Sequence, residues 1–162
     1  MEGLKRMAEI TRVEDFLKEN NYKREIIRFK EDTSTSELAA QALGTDVARI
    51  AKSIVFKNKS EDFFMVVAAG NVKINNKAIK ELTGSKAKMA NADEVLSVTG
   101  YSPGGVCPFA LATDLPVYLD ESLQAYDLVY AAAGTSNAVL PISYGELLDI
   151  TGGIGCRVTS EG

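Results

Sequence analysis

Three stretches of this chain carry groups able to hold a charged or electrophilic ligand. The first is Lys52-Ser53-Ile-Val-Phe56, a lysine opening an apolar run. Residues two apart on a strand share a face, so Lys52 points the same way as Ile54 and Phe56, and Ser53 the same way as Val55. If Ile54 and Phe56 face a core, the Lys52 ammonium lies at its rim, a fixed cation for a phosphate, a carboxylate or a developing oxyanion. A lysine at a strand end can equally snorkel to water. The second stretch is Ser102-Pro-Gly104-Gly105, followed by Val106-Cys107-Pro108. Proline in second place and glycine in third suit a type II turn. Two residues without Cβ leave main-chain N–H groups uncovered toward a ligand. A plain surface turn has the same composition. The third stretch, Ala131-Ala-Ala-Gly134-Thr135-Ser136-Asn137, reads as a shallow wall beside a ligand or simply as a hairpin turn.

What is missing narrows the chemistry. The 162 residues include no histidine, which removes the commonest general base, the Ser-His and Cys-His pairs and most zinc and iron sites. Cys107 therefore lacks an activating partner and is a poor nucleophile. Cys107 and Cys156 form no CxxC pair and read as reduced thiols. No GxGxxG or GxxxxGK[ST] follows a strand, so neither a metal nor an organic cofactor is expected. No apolar run reaches the length of a membrane span, and the N-terminus has no apolar signal core. A cytoplasmic protein with no membrane partner is expected.

The net charge of −4 argues on its face against a general nucleic-acid binder, and no DNA partner is expected. Its distribution is uneven. Residues 51–88 hold eight lysines against three acids, a net of +5, and residues 89–162 hold one arginine against nine acids, a net of −8. A local basic segment suits a small phosphate contact better than the wrapping of a long duplex. Lys73, Lys77 and Lys80 read as one helical stripe, either a solvated face or a rim contact for a nucleic-acid end.

These groups need elements to hold them. The hydrophobic content of 46% over 162 residues supports one domain across residues 1–162. Periodicity predicts a helix over 11–21 and a strand over 25–29. Ser34-Thr-Ser-Glu37 matches a capping box for a helix that Gly44 ends. Strands over 53–56 and 63–69 form a hairpin. Helices are predicted over 75–83 and 91–98, then a strand over 117–119. A second hairpin has arms 128–132 and 138–142, Ser143 caps a helix through 149, and 156–159 adds an edge strand. Interleaved helices and hairpins predict an α+β fold with a mixed sheet of six to seven strands.

The order of these motifs resembles the YbaK/ProX family, free-standing relatives of the editing domain of prolyl-tRNA synthetases. Leu38-Ala-Ala-Gln-Ala-Leu-Gly44, then Lys52–Phe56, then Gly100-Tyr101 leading to Gly104–Pro108, then Gly134-Thr-Ser-Asn-Ala-Val139 carry the likeness, which spans about residues 10–160. The resemblance implies a barrel-like mixed sheet and hydrolysis of a small amino acid mischarged onto tRNA, first of all tRNA(Pro). The partners it implies are the tRNA acceptor end and an aminoacyl-tRNA synthetase. It implies that Lys52 contacts the terminal adenosine region and that the loop of Gly104, Gly105 and Pro108 holds the ester carbonyl. Ser53, Val106, Cys107, Gly134, Thr135, Ser136 and Asn137 then surround the substrate. No protein base is needed if the tRNA ribose hydroxyl or the substrate side chain helps activate the attack. Two positions depart from the pattern. Ala138 stands where synthetase editing domains have His, and Ala133 where some members have Ser. The amino acid removed therefore stays open among alanine, serine, cysteine and threonine. A catalytically idle module binding tRNA ends or nucleotides, and a hydrolase of small esters, remain the competing readings.

Overall fold

The computed structural model describes the backbone of residues 2–161 and the side chains of residues 9–160. Five α-helices run in order: α1 (Glu2–Glu19), α2 (Ser36–Leu43), α3 (Asn76–Thr83), α4 (Ala92–Thr99) and α5 (Tyr144–Thr151). The strands are β1 (Ile27–Arg28), β2 (Ile50–Asn58), β3 (Phe63–Ala69), β4 (Val72–Ile74), β5 (Ala87–Met89), β6 (Val117–Asp120), β7 (Val129–Ala132), β8 (Ala138–Ile142), β9 (Ile154–Cys156) and β10 (Thr159–Glu161). The main sheet follows the order β1-β8-β7-β2-β3-β6-β9, with β5 also on β2, while β10 and β4 form a separate ribbon. Antiparallel pairs (β2–β3, β7–β8) alternate with parallel ones (β2–β7, β3–β6), which makes the sheet mixed.

The run Phe63–Ala69 is apolar at every position because β3 is buried on both faces. Met65 and Val67 join Val13 and Leu17 of α1, Leu119, Leu140, Ile142 and Leu147 of α5 in the larger core. Phe64 and Val66 turn the other way, onto Phe56, Val158 and Ile79 of α3. Phe56 and Phe64 stack there at 5.4 Å. Ile54 packs against this second core, so the face shared by Lys52, Ile54 and Phe56 is an inward one.

Several local readings needed correction. The first helix begins at Glu2 rather than residue 11, and only Ile27–Arg28 of the 25–29 segment pairs, with Val139 and Ala138. Thr35, not Ser34, caps α2, its hydroxyl accepting from the Leu38 N–H at 3.1 Å. The Ser34 N–H donates to the Asp32 carboxylate at 2.9 Å, one residue before the cap. Reciprocal capping boxes do close at Asn91/Glu94 and Ser143/Glu146. Lys73 lies on β4 opposite Ser160, so it shares no helical stripe with Lys77 and Lys80. The fold class is the expected α+β one with a mixed sheet; that sheet has eight strands and a further two lie outside it. Strands β4 and β5 are three residues each, too short to show a period, and the 156–159 segment resolves into β9 and β10.

Candidate functional site

Strand β2 is paired along one edge with β3 from Ala51 to Lys57. Its other edge is interrupted. The parallel register with β7 stops at Ala51↔Ala131, and the antiparallel register with β5 starts at Phe56↔Met89. Between them, Lys52–Val55 has no strand beside it, and a cavity of about 400 Å³ opens at this break. That volume falls in the usual range for small-molecule sites. The walls come from β2, from Thr33–Ser36 at the start of α2, from Ala90, Ala92 and Val95 around α4, from Pro103, Gly104 and Val106, and from Tyr130, Ala132 and Val139 of the β7–β8 hairpin.

Lys52 and the glycine-rich loop share this cavity. The Lys52 Nζ donates to the Val72 carbonyl, which fixes the side chain's direction. Burial lowers its pKa, and the nearby Glu37 carboxylate opposes that shift. The cation is thus half-buried, anchored at one donor, with two N–H bonds to spare.

The loop forms the expected tight turn. The Gly105 N–H donates to the Ser102 carbonyl at 3.0 Å, and Gly104 sits at φ +96°, open only to a residue without Cβ. This geometry redistributes the roles within the loop. Gly105 N–H is consumed by the turn and Pro108 has none to offer. Gly104 and Val106 line the cavity, and among the described residues no acceptor takes their N–H groups. Gly105 instead serves packing: a Cβ there would sit 2.6 Å from the Gly134 carbonyl carbon and oxygen. Its carbonyl accepts from the Gly134 N–H at 3.0 Å.

Cys107 and Pro108 are buried in the core. The Cys107 thiol is fully enclosed, donates weakly to the Phe109 carbonyl, and is pushed by burial up to about 12. It is neither a nucleophile nor a cavity wall.

The turn at residues 134–137 stands behind the loop rather than on the cavity wall. Thr33 donates its N–H to the Ser136 carbonyl at 2.6 Å, and Phe29 its N–H to the Asn137 carbonyl at 2.8 Å. Asn137 Nδ2 returns a bond to the Phe29 carbonyl at 3.1 Å, while buried Thr135 donates to Asn137 Oδ1 at 2.8 Å. Gly134, Thr135, Ser136 and Asn137 therefore tie the 29–33 segment to the loop and position it. Arg12 braces the far end, its Nη2 donating to the Thr99 carbonyl at 2.8 Å and its guanidinium lying 4.2 Å from the Tyr101 ring centre.

Of the residues singled out from the sequence, Lys52, Ser53, Gly104 and Val106 meet at the cavity, and Gly105, Cys107, Pro108 and residues 134–137 do not. The sequence reading missed the hydroxyls of Thr33, Ser34, Thr35 and Ser36, together with Tyr130 and the α4 start. The Ser34-Thr-Ser run was visible, but a helix cap accounts for it locally. Among the described residues, no histidine, cysteine or carboxylate lines the cavity.

Comparison with known proteins bears on this arrangement. The family model for the aminoacyl-tRNA editing domain matches residues 30–150. The chain is similar to the uncharacterised protein YwhH of Bacillus subtilis (strain 168), with 39% identity over 131 residues, 81% of this chain and 83% of YwhH. It is 26% identical over 141 residues to EbsC of Enterococcus faecalis (strain ATCC 700802 / V583), a proposed Cys-tRNA(Pro)/Cys-tRNA(Cys) deacylase, covering 86% of each. The crystal structure of a proposed trans-editing enzyme for prolyl-tRNA synthetase superimposes with a TM-score of 0.87 at 31% identity, over 94% of this chain and 97% of that one.

Proposed function

Since this chain belongs to the aminoacyl-tRNA editing domain family, the YbaK/ProX group whose motifs it carries, we propose that it is a trans-acting aminoacyl-tRNA deacylase. Its substrate is a small amino acid wrongly esterified to tRNA, with tRNA(Pro) the first candidate. The observation that carries this reading is the meeting of Lys52 with the free amides of Gly104 and Val106 on one cavity. Water adds to the ester carbonyl carbon, the carbonyl oxygen becomes an oxyanion, and the bond to the ribose oxygen then breaks as that oxygen gains a proton. The Gly104 and Val106 N–H groups cradle the oxyanion, preorganised by the turn and by the 134–137 buttress. Lys52 holds the adenosine end by charge. The wall offers no side-chain base, so the proton of the attacking water passes to the neighbouring ribose hydroxyl of the substrate as that hydroxyl hands its own proton to the departing ribose oxygen.

The test is a deacylation screen over Ala-, Ser-, Cys- and Thr-charged tRNAs with wild type and Lys52→Ala. Hydrolysis of at least one substrate is expected, with a loss of about 10²–10³ in rate for the variant, the size seen when a preorganised electrostatic group is removed. Inactivity of the wild type on all four, beside active controls, sinks the reading.

One observation favours a second reading. With no base on the wall and Lys52 tied to a carbonyl, the cavity also suits a module that captures tRNA ends for a synthetase without turnover. Tight, salt-sensitive tRNA binding with no deacylation selects it.

A further inference from the structure

The interruption in the sheet leaves one residue with three unused polar groups. The Ile50 carbonyl accepts from the Gly70 N–H at 2.7 Å, and the Asn58 N–H donates to the Asp62 carbonyl at 2.9 Å, both on the β3 side. The Val55 carbonyl accepts from the Ala90 N–H at 2.9 Å on the opposite side. Main-chain groups alternate edges along a strand, so Ser53 turns both its N–H and its C=O into the break, where no strand lies beside it. The Ser53 hydroxyl is the third unused group. Its Oγ is shielded from bulk solvent and has no hydrogen-bond partner among the described residues, while Ser53 itself lines the cavity. A buried hydroxyl without a partner costs stability, and such groups are rare enough to require a reason.

We propose that the α-ammonium of the aminoacyl group docks in this break, donating to the Ser53 carbonyl and to Ser53 Oγ. The inference rests on the deacylase reading of the cavity and names the part of the substrate that Ser53 selects. An ammonium is a compact donor with no acceptor, and the two unused acceptors of Ser53 suit it. An aminoacyl residue set opposite Ser53 meets it as one strand residue meets another: ammonium to C=O, ester carbonyl to N–H. The second lone pair of that carbonyl stays free for one of the Gly104 and Val106 amides, and the other engages the third lone pair that the oxyanion gains. Val55, Ala90 and Ala132 leave apolar surface around the break, where the dipoles act at low dielectric. The consequence is a substrate class. The site takes esters with a free α-amino group and disfavours those whose nitrogen is acylated, as at the end of a peptidyl-tRNA.

The experiment uses the full chain and three stable analogues in which alanine, 2-hydroxypropanoate or N-acetylalanine is amide-linked to 3′-amino-3′-deoxyadenosine. Affinities are measured by calorimetry for wild type, Ser53→Ala and Ser53→Thr. Wild type is expected to prefer the alanyl analogue by about tenfold or more over both others, the size of a hydrogen bond to a charged group. Ser53→Ala should shrink that preference several-fold and Ser53→Thr should restore it. Removing an unpaired buried hydroxyl should leave the melting temperature of Ser53→Ala equal or higher. Equal affinity of the wild type for all three analogues overturns the proposal. So does a Ser53→Ala variant that weakens all three alike, or one that melts earlier with its preference intact. Deacylation of charged tRNA is scored separately. An alanyl preference that depends on Ser53, without turnover, removes the deacylase reading and keeps this one; turnover without that preference does the reverse.

Discussion

Lys52 meets a main-chain carbonyl where a solvated lysine would meet water, and its chemistry follows from that. Burial disfavours the charged form, so its pKa lies below the usual 10.5 despite the opposing Glu37 carboxylate. The ammonium is lost as pH rises through this lowered value. Affinity for adenosine 5′-phosphate should fall along an alkaline limb whose midpoint lies under 10.5; a midpoint at or above it contradicts the burial of this group. Gly105 makes a different point at the same scale. Its place in the motif suggests an open approach for a ligand, yet a methyl there would collide with the Gly134 backbone at 2.6 Å. Gly105→Ala should cost about 1–3 kcal/mol, the range for overpacking, read as a lower urea midpoint with unchanged slope. Stability within a few tenths of wild type removes the packing role assigned to it.

At the level of elements, the cavity depends on how α4 is held to β2. Asn91 accepts the Glu94 N–H at 2.8 Å, and Glu94 accepts the Asn91 N–H at 3.0 Å in return. The same carboxylate takes Lys57 Nζ of β2 at 2.7 Å. The Asn91 N–H first, then Lys57, holds the Glu94 carboxyl below its ordinary range. A carboxyl with a lowered folded pKa supports the fold above its unfolded value and stops doing so as pH falls through the folded one. Acid should thus loosen α4 early, visible as faster amide exchange in residues 92–99. Asn91→Ala should cost about 0.5–2 kcal/mol, as lost N-caps do, and should weaken adenosine binding because Ala92 and Val95 wall the cavity. Binding unaltered in a clearly destabilised variant separates α4 from the site.

For the whole molecule, charge and shape decide how a large anion approaches. The described chain places Lys57, Lys59, Lys86 and Lys88 around a concavity of about 370 Å³. Lys57 is neutralised by Glu94 and Glu61. Among the described residues Lys59 and Lys86 make no close ion pair and Lys88 feels Glu94 only at longer range, and Met89, next along β5, is 65% exposed and also lines the main cavity. A polyanion seated on these lysines would lead its end into the break in the sheet. Lys86→Ala/Lys88→Ala should weaken tRNA binding and lower the slope of log affinity against log salt by about one per lysine removed. A slope equal to wild type places the nucleic acid elsewhere.

Local signals in the chain were sufficient for much of this architecture. The β2–β3 and β7–β8 hairpins, the αL glycines Gly44, Gly84, Gly100 and Gly152 that end α2 to α5, and the turn with positive φ at Gly104 all follow from side-chain period and backbone preference within a few residues. Lys52 and the Gly104 loop were legible as chemistry for the same reason, and the order of motifs pointed to their family. Distance along the chain hid the rest. Nothing near Ser53 says that its second strand edge is bare, because that depends on where β7 ends and β5 begins, some 80 and 30 residues away. Nor does the Pro-Gly-Gly run reveal that one glycine packs on Gly134 while its neighbour faces a cavity. Those outcomes rest on registers between remote strands and on steric contact across them, which only the folded chain brings into being.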